Sequence, residues 1–135
     1  MTQAPDVQIA PARTPADLAA VADLFRRYAA GLPVDLGYQD FEAELAALPG
    51  KYAPPAGELL LARGASGEPL GCAALRPLTH GACEMKRLYL APEARGLGLG
   101  RALTQAVVEA ARACGYRQLR LDTLPSMAAA QGLYE

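Results

Sequence analysis

Arg95-Gly96-Leu97-Gly98-Leu99-Gly100-Arg101 stands between a strand-like run, Met85 to Leu90, and an amphipathic run that begins at Leu99. Glycine at three alternate positions clears Cβ atoms from the backbone, so a ligand can approach it closely. The first turn of the helix that follows carries N–H groups without intrahelical partners, and such groups point at anions. The two arginines add positive charge. Strand, glycine loop and helix in this order predict an α/β chain with a site for a phosphate-bearing ligand.

Glycine-rich turns in α/β proteins also serve only to relieve crowding, so the neighbours decide what kind of site this is. A nucleoside-triphosphate loop ends in Gly-Lys-Ser/Thr, whereas Gly100 is followed by Arg101 and Ala102. A dinucleotide loop requires G-x-G-x-x-G and an acidic residue about 20 residues further on. Gly96 and Gly98 begin that pattern and Asp122 stands at a suitable distance, but Arg101 takes the third glycine's place. The nucleotide-binding reading is weakened and stays open. It predicts affinity for NAD or ATP.

The chain has 135 residues, a length that suits one domain with one core. Its net charge is -1 with signs interspersed, which points away from nucleic acid and from an anionic membrane. No apolar run reaches about 18 residues, and Met1 to Asp6 lacks the basic and apolar segments of a signal peptide, so a cytoplasmic location is expected. Cys72, Cys83 and Cys114 are odd in number, contain no C-x-x-C pair, and accompany a single histidine, His80. That pattern argues against a disulfide scaffold and against a zinc site.

Along the chain, Val7 to Ala12 reads as a first strand, and Thr14-Pro15-Ala16-Asp17 as a helix start with Thr14 at the N-cap and Pro15 at the first helical position. Leu18, Val21, Ala22, Phe25, Tyr28 and Ala29 follow at helical spacing. A shorter helix is expected around Asp40 to Leu48, stopped by Pro49-Gly50. Glu58 to Arg63 and Leu70 to Leu75 flank a turn and read as a hairpin. A strand from about Ala82 to Leu90, a helix from about Gly98 to Cys114, a strand Gln118 to Thr123 and a helix starting near Ser126 complete the series. The order β-α-α-β-β-β-α-β-α predicts an α/β domain with helices against a mixed sheet. In the helix after the glycine loop, Leu99, Ala102, Leu103, Ala106, Val107, Ala110 and Cys114 form the apolar stripe expected in the core.

Glu84-Met85-Lys86-Arg87-Leu88-Tyr89-Leu90, then Ala91-Pro92-Glu93-Ala94, then Arg95 to Gly100 resembles the acyl-coenzyme A binding signature of the GNAT superfamily of N-acetyltransferases. Arg95, Gly98 and Gly100 match its R/Q-x-x-G-x-G/A element. Leu119 to Thr123 resembles the family's next strand, and Ala130-Gln131-Gly132-Leu133-Tyr134 the start of its A-x-x-L-Y helix motif. Upstream of Glu84 the likeness is one of order and pattern, and the element order is the one the GNAT fold would have.

The resemblance implies a single N-acetyltransferase domain over residues 1–135, with acetyl-CoA as acyl donor and a small-molecule or peptide amine as acceptor. Backbone groups of Leu88, Tyr89 and Leu90 would pair with the pantetheine arm as a further strand does. The loop Arg95, Gly96, Leu97, Gly98, Leu99, Gly100 and Arg101 would hold the pyrophosphate. An acceptor amine with a pKa of about 10.4 arrives as ammonium and must lose a proton before it attacks. Glu84 stands where several family members carry the general base; as a bare residue it reads as a solvated or salt-bridged glutamate beside Lys86 and Arg87. Tyr134 matches the tyrosine to which protonation of the departing thiolate is assigned. The cysteines suggest no acetyl-enzyme: Cys83 points to the strand face opposite Glu84, Cys114 lies on the core stripe and Cys72 in an apolar run, so direct transfer in a ternary complex is expected. The competing class is a non-catalytic acyl-coenzyme A binding module.

Two departures from the family pattern stand out. Met127 occupies the place seven residues before the tyrosine where many members carry Asn, and Ser126 beside it is the candidate substitute contact to the coenzyme. The sequence stops at Glu135 where the family continues into two more strands, so the domain is expected to be incomplete, with Gln118 to Thr123 at an edge that could pair with a second copy. Asp35, Asp40, Glu42 and Glu44 make the stretch Gly31 to Leu48 acidic, which suits a cationic amine or simply a solvated helix face.

Overall fold

The computed structural model describes residues 7–31, 41–78, 81–96 and 98–121. Among them β1 is Gln8–Pro11, α1 Pro15–Ala30, α2 Phe41–Ala46, β2 Glu58–Arg63, β3 Pro69–Pro77, β4 Ala82–Leu90, α3 Leu99–Ala113 and β5 Gln118–Leu121. Short 3₁₀ turns lie at Gly50–Tyr52 and Pro92–Ala94. The five strands form one sheet in the order β1-β2-β3-β4-β5, antiparallel except for the parallel pair β4 and β5, which α3 connects. This is the expected mixed sheet and element order as far as β5; the helix expected near Ser126 lies outside the described residues.

Local chemistry explains the boundaries. Thr14 Oγ1 accepts from the Asp17 amide at 3.0 Å while the Asp17 carboxylate accepts from the Thr14 amide, and Pro15 opens the helix, so α1 begins with a reciprocal cap. Gly115 has φ 88 and ends α3 as only glycine readily can. Alternation in the strands divides the core between two faces. Leu59, Leu61, Cys72 and Ala74 face Val21, Leu24, Phe25, Phe41 and Leu45 of α1 and α2. Leu60, Ala73, Leu75, Cys83 and Met85 face Leu99, Leu103 and Val107 of α3.

Two expectations change. Cys114 is exposed, its Sγ donating to the Pro55 carbonyl at 3.2 Å, because α3 ends at Ala113 and the stripe turns through Ala111 instead. Past Pro49-Gly50 the chain also stays wound, as the 3₁₀ turn that buries Tyr52 completely. That turn presses on Gly57, where a Cβ would stand 2.6 Å from the Leu75 carbonyl oxygen and 2.8 Å from the Tyr52 carbonyl carbon. Backbone cannot yield as a side chain can. Gly57→Ala is expected to cost about 1–3 kcal/mol, read as a lower urea midpoint at unchanged slope.

Candidate functional site

The described residues of the glycine loop adopt backbone conformations that glycine allows. Gly96 and Gly98 hold φ of 83 and 80, and a Cβ at either would meet nothing within 4 Å. These glycines are therefore required by backbone conformation and front open space. Gly98 is the N-cap of α3 without a side-chain cap, and the first intrahelical bond runs from Ala102 N to Gly98 O at 3.1 Å, so the amides of Leu99, Gly100 and Arg101 precede the ladder. Leu99 offers only its backbone, since its side chain belongs to the α3 core. Gly100 brings α3 onto β4, where a Cβ would lie 3.4 Å from Leu90 Cδ1. Arg101 is exposed, and so is Arg95, whose Nε donates to the Leu90 carbonyl at 3.1 Å with its guanidinium 5.7 Å from the Tyr89 ring centroid. Leu97 lies outside the described residues.

β4 leads into this loop. Its described pairing with β5 runs from Ala82 opposite Gln118 to Met85 opposite Leu121. From Arg87 onward β4 keeps β3 on one side and, among the described residues, no strand pairs with its other edge. Leu88, Tyr89 and Leu90 lie on that edge, with Tyr89 opposite Cys72 and Leu90 opposite Gly71.

Between Ala74 opposite Lys86 and Cys72 opposite Tyr89, Arg87 and Leu88 together oppose Ala73. This is a β-bulge, and Arg87 occupies it at φ 61, a left-handed conformation that costs a non-glycine residue about 1–2 kcal/mol. The bulge reverses the alternation: strict period two would put Tyr89 on the face of Cys83, whereas it packs with Glu84's face, toward α1 and α2. Arg87 is only 4% exposed, with its guanidinium 5.6 Å and 5.3 Å from the Tyr28 and Phe41 ring centroids. Its Nε and one terminal nitrogen donate to the two Glu44 carboxylate oxygens at 3.1 and 2.9 Å. The Tyr52 hydroxyl donates to Glu44 at 2.9 Å, and Lys51 Nζ stands 3.7 Å away. Burial pushes the Glu44 pKa up, but Arg87, Tyr52 and Lys51 outweigh it and hold the carboxyl below its ordinary range. Glu44 is thus neither solvated nor open to an acceptor amine.

Glu84 shares this face but has another partner. Arg76 stands opposite it across β3 and β4, and its Nε donates to Glu84 Oε1 at 3.0 Å. The expected partners Lys86 and Arg87 give way to a cross-strand arginine. Tyr134 and Ser126 lie outside the described residues. The thiols are poor nucleophiles: burial raises the Cys72 pKa far above its ordinary value, raises Cys83 to about 11 and raises Cys114 as well. Among the described residues no cluster of His, Cys, Asp and Glu is placed to hold a metal, and no helix is long and apolar enough to cross a membrane.

Arg76 and Lys51 were not singled out from the sequence, and Glu44 and Arg87 were read only as part of an acidic stretch and as a neighbour of Glu84. Arg76 follows from the β3–β4 register once the hairpin is known. Arg87 carried no signal, because a left-handed bulge position ordinarily advertises itself as glycine.

Comparison with known proteins identifies the family. Residues 19–135 match the model described as the acetyltransferase (GNAT) family. An uncharacterized N-acetyltransferase of Schizosaccharomyces pombe is 38% identical over 136 residues, covering 100% of this chain and 83% of that relative. The uncharacterized N-acetyltransferase YjgM of Escherichia coli is 32% identical over 124 residues, covering 88% of this chain and 74% of its own length. A crystal structure of a GNAT-family acetyltransferase from Staphylococcus aureus superposes with a TM-score of 0.76 over 95% of this chain and 79% of that one; at 16% identity the likeness is one of fold.

Proposed function

The chain belongs to the GNAT acetyltransferase family, and from that premise we propose that it transfers the acetyl group of acetyl-CoA directly to a primary amine in a ternary complex. Family membership makes it an acetyl-CoA-dependent acyltransferase; the amine, the direct mechanism and the residue roles are the proposal. Acetyl-CoA, when bound, supplies an activated thioester whose C–S bond breaks as the new C–N bond forms. The backbone of Leu88, Tyr89 and Leu90 holds the pantetheine arm, and the loop Arg95 to Arg101 holds the pyrophosphate. Glu84, directly or through water, takes the ammonium proton. Tyr134 returns a proton to the departing sulfur.

One observation supports the reading: a strand whose end, Leu88 to Leu90, has β3 on one side and, among the described residues, no strand on the other runs into a loop whose two left-handed glycines face open space at the start of α3. A free strand edge matches the amides of an extended arm, and unladdered helix amides match a phosphate. Acetyl-CoA, but neither NAD nor ATP, is expected to raise the melting temperature, and an Arg95→Ala/Gly98→Val double variant is expected to lose that shift. Valine at Gly98 would carry a β-branched side chain into φ 80 and into the space the ligand needs. Equal stabilisation by NAD, or an unchanged shift in the variant, would contradict the loop assignment.

Arg76 occupying the Glu84 carboxylate favours a second reading, the acyl-coenzyme A binding module without turnover. Thiol release from acetyl-CoA on adding an amine decides between them.

A further inference from the structure

The Arg76–Glu84 pair differs from the Arg87–Glu44 pair beside it. Arg87 and Glu44 are 4% and 12% exposed at their side chains and engage each other through two hydrogen bonds. Arg76 and Glu84 are 32% and 18% exposed and share one bond, Nε to Oε1. Among the described residues this leaves both terminal nitrogens of Arg76 and the second oxygen of Glu84 without partners. A guanidinium end that suits a carboxylate and a carboxylate oxygen that suits an ammonium therefore stand side by side.

From this juxtaposition we infer that the acceptor is a free α-amino acid, its carboxylate held by Arg76 and its ammonium by Glu84. The inference rests on the acetyl-transfer reading above and names its acceptor class. An α-amino acid carries its two charges a few bond lengths apart, as the partly exposed pair does, so one ion pair exchanges for two complementary ones. Glu84 then meets the nitrogen whose proton it must remove.

The surrounding charge agrees. Lys51 and Arg87 share the single carboxylate of Glu44 and Arg76 pairs with Glu84, so among the described residues these three cations have two carboxylate partners. Burial lowers the Lys51 pKa; Glu44 opposes this, and the charges of Lys86, Arg76 and Arg87 lower it further. A face with this balance disfavours a polyamine and favours an acceptor that brings a negative group. The acidic stretch read from the sequence pointed the other way, and Glu44 no longer counts toward it because Arg87 consumes its charge.

The test uses the whole chain with acetyl-CoA and reads thiol release from a panel of free amino acids, the corresponding amino acid amides, and spermidine. The amide is the less basic amine and has the larger neutral fraction, so a preference for the acid runs against intrinsic reactivity. The acid is expected to exceed its amide in kcat/KM by about tenfold or more, the scale of hydrogen bonds to a charged group. Arg76→Gln is expected to bring that ratio close to one through KM, with Arg76→Lys restoring part of it. Turnover of spermidine or of amides at or above the acids would overturn the inference while leaving acetyl transfer intact. Acetyl-CoA binding without thiol release from any amine would overturn the enzymatic reading and the inference with it. The acid-to-amide ratio of the unmodified chain is decisive even if a variant fails to fold.

Discussion

Glu44→Ala is expected to cost about 3–5 kcal/mol of stability, the penalty for stranding a charge whose buried partner has been removed. Arg87 would remain between the Tyr28 and Phe41 rings with no carboxylate, and the fully buried Tyr52 hydroxyl would lose its acceptor. Arg87→Met should cost less, because Glu44 keeps the Tyr52 hydroxyl and Lys51. The double variant, which removes both charges, should lose about 0.5–3 kcal/mol less than the sum of the two. Urea unfolding of the four proteins at one pH measures the cycle. Simple additivity would mean that the bulge is held by ring packing rather than by the ion pair. The pair matters beyond stability because it pins a strained bulge immediately before Leu88 to Leu90: these residues take their register from it, and α2 is tied to that register through Glu44.

Much of this architecture was legible because short-range chemistry sets it. The Thr14-Pro15 helix start, the hairpin and the glycine loop each carry a local signal, and each is found where that signal puts it. What was not legible depends on a strand's departure from period two. Reading β4 by strict alternation assigns Tyr89 to the wrong face and leaves Arg87 an ordinary strand residue. The bulge exists because Glu44, distant in sequence, stabilises an arginine in a conformation whose usual occupant is glycine. Glu42 and Glu44 show the same limit: both read alike, as carboxylates facing a cationic amine or solvent, yet only Glu42 is exposed. A loop of this kind is read from its glycines, whereas a site built from side chains on two strands, two helices and a 3₁₀ turn is read from their register.

Glu84→Gln separates the two readings of the central carboxylate through pH. If Glu84 removes the ammonium proton, the amide variant should lose about 10²–10⁴-fold in kcat at neutral pH, with acetyl-CoA affinity retained because the cofactor edge and loop are untouched. The loss should then shrink as pH rises, since an amine with a pKa of about 10.4 supplies its own neutral form as that value is approached. A carboxylate that serves only to pair with Arg76 behaves otherwise. Its amide analogue can still accept from Arg76 Nε, and whatever activity is lost is lost equally at every pH. The ratio of unmodified to variant kcat between neutral and alkaline pH is therefore the readout, and a flat ratio rejects Glu84 as the base. Arg76→Gln makes the contrast internal: it frees the Glu84 carboxylate instead of removing it, so it should raise KM for the amino acid while the rate at saturation keeps the pH dependence of a working base. Opposite behaviour of two residues joined by a single 3.0 Å hydrogen bond is what distinguishes a pair built to be opened by the acceptor from one built to hold two strands together.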